Sequence, residues 1–157
     1  MKRRIYVDTS VIGGCLDKEF WRPSRVLFER FEAGEDILVI SDLTLKELQQ
    51  APSEVRAVLE KMDAEFVEEV EFTREASDLA EAYIAAKVVH ASKRVDAQHI
   101  ATAAVHDVDV LVSWNFRQIV NLERIRGYNT VNLRQGYAVL EIRTPREVIA
   151  HGEEEEH

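Results

Sequence analysis

Short runs of consecutive apolar residues alternate along this chain with stretches that turn apolar every three or four positions. Arg3-Arg-Ile-Tyr-Val7 is β-branched and aromatic and predicts a first strand. Ile37-Leu-Val-Ile40 is continuously apolar, as expected of a strand covered on both faces. Val108-Asp-Val-Leu-Val-Ser113 predicts another buried strand, and Phe66 to Phe72 a short, weakly alternating one. Between them, Pro23 suits the first turn of a helix to about Ala33 that Gly34 closes. Ser41 or Asp42 would cap a helix carrying Leu43, Leu45, Glu47 and Leu48 that stops near Pro52, and Ser53 would cap another to about Ala64. Thr73 opens a longer helix whose Ala76, Leu79, Ala80, Tyr83, Ile84 and Val88 face inward. The next helix, from Lys93 to Ala104, aligns Ala97, Ala101, Ala104 and Val105 in one stripe of mostly small residues that lets its backbone approach a sheet closely.

The rest of the chain reads as a short helix from Ile119 to Arg126 ended by Gly127, a last strand at Val131-Asn-Leu133, and a looser segment over 136–150 with a helical turn starting at Thr144-Pro145. Residues 1–150 are expected to form a single domain, and the acidic end, 151–157, to be disordered. Strands alternating with helices predict an α/β fold of three layers, a central, mostly parallel sheet with helices on both faces. In such sheets ligand-facing groups collect beyond the carboxyl ends of the strands.

Composition narrows the function. At 157 residues, 46% hydrophobic and 31% charged, the chain is sized and balanced like one ordinary globular domain. It has no apolar run of membrane-spanning length and no signal-peptide pattern near its start, so the expected location is the cytoplasm. The lone cysteine, Cys15, excludes an internal disulfide and a cysteine-based zinc site. A net charge of −9 argues against a protein that coats nucleic acid non-specifically, though not against an enzyme that gathers acids around a metal.

Polar residues fall where the fold class expects function. Asp8 directly follows the first strand and leads into Thr9, Ser10 and the Gly13-Gly14 turn of a loop. Glu47 lies on the helix after the second strand, about one turn inside it. Asp96 sits in a first helical turn, where the helix dipole favours negative charge, and His99 shares its face one turn on. Ser113 and Asn115 end the last long strand. No glycine-rich phosphate loop and no Gly-x-Ser-x-Gly elbow is present. Converging carboxylates repel unless a cation holds them, and oxygen ligands suit Mg²⁺ or Mn²⁺ over zinc. Lys93 and Arg94, just before Asp96, are candidate phosphate contacts.

Ile5-Tyr-Val-Asp-Thr-Ser-Val11, Leu45-Lys-Glu-Leu48, Val95-Asp-Ala-Gln-His-Ile-Ala-Thr-Ala103 and Asp109-Val-Leu-Val-Ser-Trp-Asn-Phe116 together resemble the PIN-domain ribonucleases, in particular the VapC-type toxins of toxin–antitoxin pairs. The resemblance spans residues 3 to about 135. It implies that Asp8, Glu47 and Asp96 are metal ligands, that Asn115 stands at a fourth position usually held by Asp, and that Ser10 and Ser113 accompany the site. His99 is not part of that pattern: on the Asp96 face it could add a ligand or a proton carrier, or serve only as a hydrogen-bonding neighbour. It also implies Mg²⁺- or Mn²⁺-dependent cleavage of single-stranded RNA leaving 3′-hydroxyl and 5′-phosphate ends, a small antitoxin partner and a homodimer. Asn115 brings no charge, so occupancy of a second metal is the point at which the chain departs from the pattern. Two other readings compete. A degenerate PIN-like fold would be a binding module for RNA or a protein partner. A dehalogenase-like phosphatase would need a second acid two residues after Asp8, where Ser10 stands.

Overall fold

In a computed structural model of the chain, residues 2–156 are described, with side chains through residue 150. Five strands form one sheet in the order β3-β2-β1-β4-β5, every neighbouring pair parallel. They are β1 (Arg4–Val7), β2 (Ile37–Ser41), β3 (Val67–Val70), β4 (Val110–Val112) and β5 (Ile142–Arg143). The helices are α1 (Thr9–Gly14), α2 (Trp21–Glu32), α3 (Asp42–Leu48), α4 (Ser53–Glu60), α5 (Arg74–Ala85), α6 (Arg94–Val105), α7 (Leu122–Arg134) and α8 (Pro145–Glu156).

The pleat divides the core into two layers. Tyr6, Val39 and Leu111 point to one face and pack with Leu79, Tyr83, Ile100, Ala101 and Tyr128 from α5, α6 and α7. Ile5, Val7, Leu38, Ile40, Val110 and Val112 point to the other and pack with Ile12, Leu27, Phe31, Leu48 and Val148 from α1, α2, α3 and α8. This is the expected three-layer arrangement. In α6, Ala97, Ala101 and Ala104 are buried, and so are His99, Ile100, Thr102 and Ala103. At the start of α5, the Thr73 side chain accepts the Ala76 N–H at 3.1 Å, as a cap should.

Three local expectations are corrected. The segment after Asp8 is a short helix, α1, and not a loop. Its Gly14 is packed so closely that an added Cβ would lie 2.6 Å from Ser24 Oγ and 2.8 Å from Trp114 Nε1. Gly127 does not end a helix but sits inside α7, which runs on through Val131-Asn-Leu133, the residues expected to form a strand. Asn121 caps α7 by accepting the Arg124 N–H, and Tyr128, Val131 and Asn132 mark its buried face. A Cβ at Gly127 would lie 2.7 Å from Val88 Cγ1, so this glycine lets α7 pack closely against the segment after α5, which ends at Ala85 and leaves Val88 outside the expected helix. The fifth strand is instead Ile142–Arg143, inside the segment expected to be loose, and it pairs with Leu111 and Val112. The turn at Thr144-Pro145 does start a helix: Thr144 N–H donates to Glu147 Oε1 and Glu147 N–H to Thr144 Oγ1, a reciprocal cap. The expectation of a disordered tail at 151–157 lies outside the residues whose side chains are described. Among the described residues no helix is long and apolar enough to cross a membrane.

Candidate functional site

With every strand parallel, the carboxyl ends of β1, β2 and β4 lie along one edge, and the site is built there. Asp8 follows β1 in extended conformation and is only 5% exposed. Ser10 Oγ donates to its Oδ1 at 2.6 Å and Ser113 Oγ to its Oδ2 at 2.6 Å. Each serine oxygen in turn accepts a backbone N–H, Trp114 on Ser10 at 3.0 Å and Asn115 on Ser113 at 2.9 Å. The two serines therefore clamp the carboxylate of β1 to the turn after β4. Burial pushes the Asp8 carboxyl above its ordinary value, against the lowering effects of His99 and the two hydroxyls.

Glu47 lies in the last turn of α3, further from β2 than one turn, because α3 is only seven residues long. Its side chain is 40% exposed. Its Oε1 accepts from His99 Nε2 at 2.6 Å and from Thr9 Oγ1 at 3.0 Å. Partial burial raises the Glu47 carboxyl, but the His99 contact and charge and the Thr9 hydroxyl bring it below its ordinary value. His99 is 2% exposed, and its Nδ1 lies 2.6 Å from Tyr6 Oη, which lies 2.7 Å from Ser41 Oγ. An ionised carboxylate can only accept, so Nε2 holds a proton and donates it toward Glu47. When the ring is neutral, Nδ1 accepts from the Tyr6 hydroxyl; when it is charged, both nitrogens donate and the Tyr6 oxygen accepts. Burial pushes the Tyr6 phenol up, which keeps that hydroxyl protonated.

Asp96 sits in the first turn of α6. Burial raises its carboxyl; His99 lowers it, and the charges of Asp8 and Glu47 raise it again. Those mutual charge effects mean that the three acids lie near one another at the sheet edge. Asn115 Nδ2 donates to Asp96 Oδ1 at 3.3 Å, while its Oδ1 accepts the N–H groups of Arg117 at 3.2 Å and Gln118 at 3.0 Å. The amide thus serves both as a turn residue and as a neutral partner for the acid. Lys93 is exposed and lowers the Asp96 carboxyl, whereas Arg94 is turned away onto Glu81 at 2.8 Å.

Among the described residues no three His, Cys, Asp or Glu side chains close on one point as a ready-made metal site. The reason is local: Glu47 is drawn to His99, and both Asp8 oxygens hold hydroxyls. The donor set itself is all oxygen, and the Asp8 and Asp96 carboxyls are raised, so their charge is under-compensated. Both features fit a hard divalent cation.

Asp8, Glu47, Asp96, Asn115, Ser10, Ser113 and His99 are therefore joined at one edge. Three further members, Tyr6, Ser41 and Thr9, are not evident from the pattern alone. Tyr6 reads as a strand residue, and only its position opposite α6 reveals its polar end. Thr9, next to Asp8, could have been suspected from the consecutive hydroxyls.

Comparison with curated protein sequences gives no match. Among solved structures, VapBC2 from Rickettsia felis, bound to a DNA fragment from their promoter, is similar over 88% of this chain and 98% of that one, at 14% identity and a TM-score of 0.52. VapC20 from Mycobacterium tuberculosis, a sarcin-ricin loop cleaving toxin, is similar over 72% of this chain and 91% of that one, at 19% identity and a TM-score of 0.48. The model of the PIN domain matches residues 5–121, from β1 past β4, a span that includes all three acids and the Ser113-Trp114-Asn115 turn. The chain belongs to the PIN domain family.

Proposed function

We propose that this protein is a divalent-metal-dependent endoribonuclease that hydrolyses single-stranded RNA, acting in the cytoplasm as the toxin of a toxin–antitoxin pair. The observation that supports it most is the meeting of Asp8, Glu47 and Asp96 at one sheet edge, with Asp8 and Asp96 raised by burial. Asp8 and Asp96, with Glu47 released from His99, would hold Mg²⁺ or Mn²⁺. When bound, such an ion supplies Lewis-acid activation of water and of the phosphate. Ser10 and Ser113 keep the Asp8 carboxylate in one orientation, which limits reorganisation during the reaction. Asn115 holds Asp96 while adding no charge, which favours one ion over two. Lys93, exposed near Asp96, would meet a phosphate. A small antitoxin covering the acids, and a homodimer, complete this reading.

The test is cleavage of a panel of structured and unstructured RNAs with and without Mg²⁺ or Mn²⁺, alongside calorimetric titration with Mn²⁺. Metal-dependent cleavage that Asp8→Asn lowers by about two orders of magnitude or more is expected. An Asp8→Asn protein with full activity would sink the assignment. Neither metal binding nor cleavage would instead leave a PIN-fold binding module, the reading that Asn115 in place of an acid favours.

A further inference from the structure

Beside the acidic cleft lies a surface of a different character. Trp114 and Phe116 flank Asn115 and therefore begin at the cleft itself. Phe20 stacks on Trp114 with ring centroids 4.2 Å apart and planes 14° apart. Phe116 tilts against both rings, at 6.1 Å and 6.2 Å, and stays 50% exposed. Trp21, next to Phe20, is 39% exposed, and the guanidiniums of Arg22 and Arg25 lie over its ring at 5.3 Å and 5.2 Å. Arg146 lies over Trp114 at 5.9 Å. An open cavity of about 550 Å³ runs between α2 and α8, lined by Trp21, Arg22, Arg146 and Ile149, with Glu19 also at its wall.

The topology explains why these groups meet. α2 descends to feed β2, so it starts at the carboxyl edge; α8 starts directly after β5, and Phe116 lies just past β4. Trp21, Arg22, Phe116 and Arg146 thus share the edge that holds the acids. Neither Arg22 nor Arg146 has an ion-pair partner among the described residues, although the chain as a whole is at −9. Unpaired guanidiniums interleaved with exposed rings suit a ligand that offers both phosphates and flat π-faces. A single nucleic-acid strand does so at every residue.

We infer that the ledge of Phe116, Trp21, Arg22 and Arg146 takes the single-stranded RNA flanking the phosphate that is cut, with bases against the rings and phosphates against the guanidiniums. The inference rests on the nuclease reading and extends it from the acids to the substrate's path. It also bears on the charge problem: an acidic protein can admit a polyanion where cationic and aromatic groups line an approach to the acids.

The experiment is fluorescence anisotropy of a labelled short oligouridylate in EDTA, where no cleavage occurs, with RNA cleavage in Mn²⁺ measured in parallel. The parent is compared with Arg22→Ala/Arg146→Ala, with Phe116→Ala and with Trp21→Ala, each checked by thermal melting. The ring variants are expected to bind about tenfold more weakly. The double arginine variant should weaken similarly and lose about 1.4 from the slope of log affinity against log salt, the share of two phosphate contacts. Should either ring variant fail to fold, the arginine pair decides, since both side chains are exposed. Arg22→Lys/Arg146→Lys should keep the salt slope. A parent that binds and cleaves while every variant binds within about twofold of it overturns the ledge and leaves the nuclease standing. In that case the ledge faces a protein partner. A parent that neither binds nor cleaves any RNA overturns both.

Discussion

His99 Nε2 lies 2.6 Å from Glu47 Oε1, tying the middle of α6 to the end of α3 across the mouth of the cleft. Behind it, Tyr6 and Ser41 extend the same chain of hydrogen bonds into the sheet. Truncating either partner removes one charge-assisted bond, worth about 1.5–3 kcal/mol in such settings. In a double-mutant cycle of His99→Ala and Glu47→Gln followed by urea unfolding, the two losses should fall short of additive by about 1 kcal/mol or more. Strict additivity would mean that the contact adds nothing to folding. Tyr6→Phe should be milder, because His99 keeps Glu47.

Asp8 is a carboxylate whose charge is opposed by burial more than His99 and its hydrogen-bond donors favour it. Asp8→Asn should therefore raise the melting temperature of the metal-free protein at neutral pH by a few degrees, corresponding to about 1 kcal/mol, while removing cleavage. The serines can adapt, since each hydroxyl can donate to the amide oxygen or accept from its nitrogen. Differential scanning fluorimetry in EDTA is sufficient; a lower melting temperature would show that the Ser10 and Ser113 bonds outweigh the burial.

Asn115→Asp would set a second carboxylate where an amide now donates to Asp96 Oδ1 at 3.3 Å. Like charges so close destabilise the metal-free state and strengthen the need for a cation. The variant should melt below the parent in EDTA and gain more from added Mn²⁺ than the parent does. Equal Mn²⁺-induced shifts in the two proteins would show that position 115 does not bear on the ion. The turn should survive, because an aspartate oxygen can still accept the N–H groups of Arg117 and Gln118.

Asp36 directly precedes β2, at the opposite edge of the sheet from these acids, and behaves oppositely. Burial raises its carboxyl, but Arg3 at 3.0 Å and Arg30 at 2.9 Å outweigh that and hold it below its ordinary value. The folded form thus binds its proton less readily than the unfolded chain. Its stabilisation is complete above the unfolded carboxylate value of about 4 and is lost as pH falls through the depressed folded value. Asp36→Asn should lower stability at neutral pH by about 3 kcal/mol and flatten the stability profile in that acid window. An unchanged profile would assign the acid sensitivity to other groups.

Gly127→Ala tests the packing of α7. In a free helix the change would help by about 1 kcal/mol. Here the new Cβ would meet Val88 Cγ1 at 2.7 Å, and a β-branched side chain yields poorly. A net loss of about 1–2 kcal/mol is expected, with recovery in the Val88→Ala background. Stabilisation by the single change would mean the interface has slack.

The sequence by itself determined the parts of this protein whose signals are local. β1, β2 and β4 are legible because a strand covered on both faces must be apolar at every position, and Thr73 and Thr144-Pro145 because caps act within one turn. Asp8, Asp96, Ser113 and Asn115 could be placed at the sheet edge since each follows a strand or opens a helix. Tertiary structure decided the rest, because the deciding contacts join residues far apart in the chain. Gly127 resembles a helix stop until Val88 is found against it, and a two-residue strand such as Ile142–Arg143 is too short to show a period, so only pairing with β4 reveals it. The partner of His99 lies 52 residues away, on another helix. The ledge of rings and guanidiniums likewise draws on three separate segments, which meet only because a parallel sheet brings its strand ends, and the helices that start there, to one edge.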